Sequence, residues 1–95
     1  MTRVLSIKLL ENCLDSSTVK EVSLDGPIDE TLMRRLVEDG TLKYYPHFPR
    51  PYFRIERARQ YVIQGVINND SLRVTFSPQA TAQTEQHLQT QIDQS

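Results

Sequence analysis

A chain of 95 residues with 38% hydrophobic side chains, 24% charged side chains and a net charge of −1 has the composition of one modest globular domain. Those values exclude a wholly disordered chain and a protein that holds polyanions by net charge alone. Cys13 is the only cysteine, which excludes an internal disulfide framework and a thiolate-rich zinc or iron–sulfur site.

From the start of the chain, Leu5, Ile7 and Leu9 alternate with Ser6 and Lys8, the period of a strand with one buried face, over residues 3–10. The same polar interruptions break the run Val4 to Leu10, unlike a signal-peptide core, and nothing has membrane-spanning length. With the cysteine usage, this leads us to expect a cytoplasmic protein without membrane contact. Residues 11–18 cluster small polar types and predict a loop. Val19 to Leu24 predicts a second strand with Val22 and Leu24 inward.

Gly26 and Pro27 end that strand, and Asp29 is placed to cap a helix over residues 30–39. Leu32, Met33, Leu36 and Val37 fall on one side of it, Ile28 and Met33 have the spacing of a hydrophobic staple, and Gly40 stops it. Arg34 and Arg35 lie at helical spacing from Glu30, Glu38 and Asp39, which favours a solvated face over an anion site.

Residues 43–54 carry Pro46, Pro49 and Pro51 among Tyr44, Tyr45, Phe48, Tyr52 and Phe53, and predict a stiffened, extended connection. Phe53 and Ile55, then residues 60–67, then residues 72–76 predict a three-strand meander, with the turn Asn68-Asn69-Asp70 before the last run. The middle run has apolar residues of both parities, so it is expected to lie centrally with cover on both faces, with Gly65 as a bulge. Residues 79–95 hold six glutamines and only Leu88 and Ile92 as a spaced apolar pair, and are expected as a mobile or weakly helical polar tail.

The expected architecture is therefore α+β: one domain over residues 1–78, a small, mostly antiparallel sheet in the order β-β-α-β-β-β, with one main helix on one face. Phe53, Ile55, Leu72, Val74 and Phe76 would face the helix. Tyr52, Arg54, Glu56, Arg73 and Thr75 would then lie on an uncovered face together with Val62 and Val66.

Residues 43–75 hold six positive side chains against two negative, a local +4. The candidate binding residues are Tyr45, His47, Arg50, Tyr52, Arg54, Arg57 and Arg73. A thin core and an uncovered sheet face point first to a non-catalytic interaction module that binds a protein partner or a second copy of itself. Arginines among tyrosines also suit single-stranded nucleic acid or an anionic ligand, the alternative reading. A third is an enzyme of unfamiliar type with a pocket at the loop joining Tyr44 to Tyr52.

No pattern requires a cofactor or a metal. His47 has no second ligand at metal-site spacing, and His87 lies in the polar tail. No serine stands in a nucleophile elbow, and Cys13 sits among acidic neighbours that oppose a reactive thiolate.

Overall fold

A computed structural model describes residues 3–12, 16–37, 40–80 and 82–93. Six strands and two helices follow in the order β1 (Val4–Asn12), β2 (Thr18–Leu24), α1 (Glu30–Val37), β3 (Thr41–Tyr45), β4 (Tyr52–Arg57), β5 (Tyr61–Val66), β6 (Ser71–Phe76) and α2 (Ala82–Asp93). The strands form one antiparallel sheet in the order β1-β2-β6-β5-β4-β3. The α+β class and the helix-on-one-face arrangement expected from the pattern are what the chain adopts.

Alternation along β2, β4, β5 and β6 sorts the side chains. Val22 and Leu24 of β2, Phe53 and Ile55 of β4, Tyr61 and Ile63 of β5 and Leu72, Val74 and Phe76 of β6 are buried in one cluster with Leu32, Met33 and Leu36 of α1. Helix α1 begins where Asp29 accepts a bond from the Leu32 amide at 2.8 Å, satisfying one of the donors left open by the first turn. Ile28 and Met33, the expected staple, are both fully buried in that cluster. Gly40 donates to the Val37 carbonyl at 2.6 Å, and a Cβ there would stand 2.8 Å from the Glu56 carbonyl, so the chain passes too close to β4 for any side chain.

Four expectations need correction. The stretch 43–54 is not a plain connection, because Thr41–Tyr45 pairs with β4 through Leu42↔Ile55 and Tyr44↔Phe53. The prolines fall in the turn between these strands, where they remove no ladder donor. Gly65 is not a bulge: the β4–β5 register runs without a shift, and Gly65 stands opposite Phe53. A Cβ on Gly65 would lie 2.6 Å from the Phe53 ring and 2.8 Å from the Leu72 side chain, so the glycine provides room for a ring laid across the strand. The central strand β5 is interior to the sheet, yet its Val62 and Val66 are only half-buried, on a face without a covering layer.

The fourth correction concerns the glutamine-rich end. It forms α2, and its Leu88 and Ile92, one turn apart, are 2% and 0% exposed in the common core. Lys20 of β2 reaches the Glu85 carboxylate at 2.9 Å, and the Val4 amide donates to Asp93 at 3.0 Å, so polar bonds fix both ends of the helix. Two apolar residues suffice because α2 lies over the β1 side of the sheet that α1 leaves open.

Backbone bonds also lock the β5–β6 turn to the segment entering α1. Asn68 takes a left-handed φ of 75° and donates to the Ile28 carbonyl at 2.8 Å, while Ile28 donates to Asn69 at 2.7 Å and Leu24 to Asp70 at 2.7 Å. Asparagine tolerates that conformation better than most residues, as the turn signal implied.

Candidate functional site

Both helices pack on the same face, and none of the side chains on the opposite face is buried among the described residues. Pairing registers arrange this open face into three rows that cross the sheet. The first holds Tyr45 and Tyr52, with Ser71, Ser23 and Ser6 toward the other edge. The second is charged: Lys43, Arg54, Gln64, Arg73, Glu21 and Lys8 follow one another across all six strands. The third runs Thr41, Glu56, Val62, Thr75, Val19 and Glu11.

The aromatic end is the most distinctive part. The turn after β3 folds back so that Phe48 donates to the Tyr45 carbonyl at 3.4 Å, and its ring stacks on Tyr45 with centroids 5.1 Å apart. Tyr45 in turn stacks on Tyr52 at 6.0 Å. Tyr45 is 41% and Phe48 52% exposed, so three rings form a stepped apolar surface at the tip of a proline-stiffened hairpin. Phe48 was not among the candidates drawn from the sequence. Its signal was there in Pro46-His47-Phe48-Pro49, a turn that returns the third residue toward the strand.

The arginines separate. Arg54 stands directly opposite Lys43, a like-charge pair, and Glu56 offsets it by contacting Arg54 at 3.0 Å and Lys43 at 3.7 Å. Arg73 lies between Gln64 and Glu21. Arg50 bonds Asn69 at 2.9 Å beside the β5–β6 turn, and His47 is exposed in the hairpin turn. Arg57 pairs with Tyr61, whose side chain is in the core, so it belongs to the helix side and not with Arg54. The open face thus holds Lys8, Lys43, Arg54 and Arg73 against Glu11, Glu21 and Glu56, close to neutral, and the +4 of residues 43–75 is spread over two faces and the loops.

A concavity of about 530 Å³ lies at the Thr41 end, away from the aromatic hairpin, with Val62, Thr75 and Pro78 in its lining and the turn 58–60 at its rim. Its lining includes Glu56, Arg57, Arg59, Ser17 and Ser77 and, among the described residues, no histidine or cysteine. Ser77 is committed to structure, its hydroxyl donating to the Arg59 carbonyl at 2.7 Å across a turn in which Arg59 has a φ of 64°. No group of three His, Cys, Asp or Glu among the described residues could hold a metal ion. Cys13 lies outside the described residues. No helix among the described residues is long and apolar enough to cross a membrane.

Compared with protein-family models, curated proteins and solved structures, the chain finds no match. The site therefore rests on its own geometry.

Proposed function

We propose that this protein is a small non-catalytic interaction module that grips a protein partner with its open sheet face, the contact centred on Tyr45, Phe48 and Tyr52. The observation that carries this reading is the exposed stack itself, with Tyr45 41% and Phe48 52% accessible. Exposed rings stacked on each other save less water-ordering surface than buried ones, and aromatic side chains are the residues that most often anchor protein interfaces. Three prolines hold the presenting loop, so little conformational freedom remains to be lost on binding. The charged row beside the stack supplies a polar rim.

The test is affinity capture from lysate with the tagged full chain, beside a Tyr45→Ala, Phe48→Ala variant shown by circular dichroism to be folded. We expect a stoichiometric partner on the wild type and its loss from the variant. Equal recovery on both would overturn the assignment.

Nucleic-acid or anionic-ligand binding is the second reading, favoured by one arrangement: Lys43 and Arg54 flank rings on which bases can stack. The pairing of both cations with Glu56 and the position of Arg57 on the helix side weigh against it. It requires a single-stranded oligonucleotide to bind with an affinity that falls steeply as salt rises. No binding at low salt dismisses it.

A further inference from the structure

At the far edge of the sheet from the aromatic hairpin, β1 has nine residues, and no described strand pairs with its outer side. It carries three exposed leucines, Leu5 at 67%, Leu9 at 51% and Leu10 at 39%. A long apolar edge with unpaired backbone groups is a template for another strand. The opposite edge is a poorer one, since β3 has five residues, centres on Lys43 and runs into Pro46.

We propose that β1 pairs antiparallel with β1 of a second copy, about a twofold axis between Leu9 and Leu10. The bulge permits this register and the charges on β1 select it. Between Leu9 and Glu11 the β1–β2 pairing shifts, so the alternation changes parity there: Lys8 and Glu11 both lie on the open face, while Ile7 and Asn12 both lie on the helix face. Residues opposed across an antiparallel ladder must share a face. An axis at the bulge meets that rule on both sides; axes through Lys8 or Glu11 meet it too, but they set Lys8 against Lys8 or Glu11 against Glu11, like-charge pairs that this axis avoids.

That axis brings Lys8 of each copy opposite Glu11 of the other, Ile7 opposite Asn12, and Leu9 opposite Leu10. Two opposite-charge pairs and four leucines then meet at one contact, and the charge complementarity identifies the occupant as a second copy. Because the contact is isologous it closes, giving one continuous twelve-stranded sheet and not a filament. A two-strand interface is small, below the ~1,200 Å² of standard complexes, so the dimer depends on concentration.

Sedimentation equilibrium of the full chain over a concentration series, at low salt, tests this. We expect a monomer–dimer equilibrium in which Lys8→Glu or Glu11→Lys alone weakens association about tenfold, since each reversal acts twice by symmetry. The double variant, with both reversals, regains wild-type association. Both positions are exposed, so the fold tolerates the changes, and circular dichroism verifies it. A chain that stays monomeric throughout overturns the proposal. So does a dimer indifferent to the charge reversals, or one abolished by Tyr45→Ala with Phe48→Ala. Those last residues sit at the other edge of the sheet, so loss of partner capture and loss of dimerisation are separate results.

Discussion

At the residue scale, two side chains have sharply defined surroundings. Tyr44, on the helix side of β3, donates its phenol to Glu30 at 3.1 Å. Partial burial, that bond and the charge of Glu30 hold its pKa above the usual tyrosine value, with Arg34 acting in the opposite sense. A group whose pKa is raised on folding adds stability that is complete below the unfolded value, about 10, and disappears as pH rises through the folded one. Glu30→Gln should lower the Tyr44 pKa toward the ordinary value, and the difference between wild-type and Tyr44→Phe tyrosinate absorbance titrations measures it. Gly65 offers a sharper case. A methyl there meets the fully buried Phe53 ring and Leu72 at distances no Cβ occupies, so Gly65→Ala should cost about 1–3 kcal/mol in urea unfolding despite its smaller unfolded-state entropy. An unchanged midpoint would mean that the ring moves freely.

At the level of elements, helix α2 tests how little apolar surface can dock a polar segment. Ile92 is fully buried, and Ile92→Ala should destabilise the protein by about 2–5 kcal/mol in denaturant titration. If the glutamine-rich segment were peripheral, the same change would have almost no effect. This helix also marks where reading the chain stops being sufficient. Leu32, Met33 and Leu36 announce α1 by their number and spacing, and Asp29 announces its start. Leu88 and Ile92 carry a single helical repeat, and only the gap beside α1 over β1 and β2 makes that pair decisive. The same limit hid β3: Leu42 and Tyr44 alternate correctly, but prolines two residues later suggested a connection, although they occupy the turn. The open face was legible for β4 and β6, whose alternation is strict. Arg57 follows the parity of Phe53 and Ile55 to the helix side, whereas the opposition of Lys43 to Arg54 depends on a register that no single strand specifies.

Taken whole, the molecule is two sets of neighbouring strands joined along one seam. Every ladder except one links strands consecutive in the chain; the exception joins β2 to β6, from Thr18 opposite Phe76 to Ser23 opposite Ser71. The hairpin β1–β2 and the meander β3–β6 can each begin to form locally. Neither can complete the core alone, since Val22 and Leu24 come from one set and Leu72, Val74 and Phe76 from the other. The entropy of closing the intervening chain must be spent before the shared core repays it, so we expect formation of that seam to limit the folding rate. The bonds from Ile28 and Leu24 to the turn at Asn69 and Asp70 lie at the end of this seam, where the first productive closure would be captured. Until then both β2 and β6 have an unmet edge, and the interval before closure is when this chain is most exposed to pairing with the wrong strand.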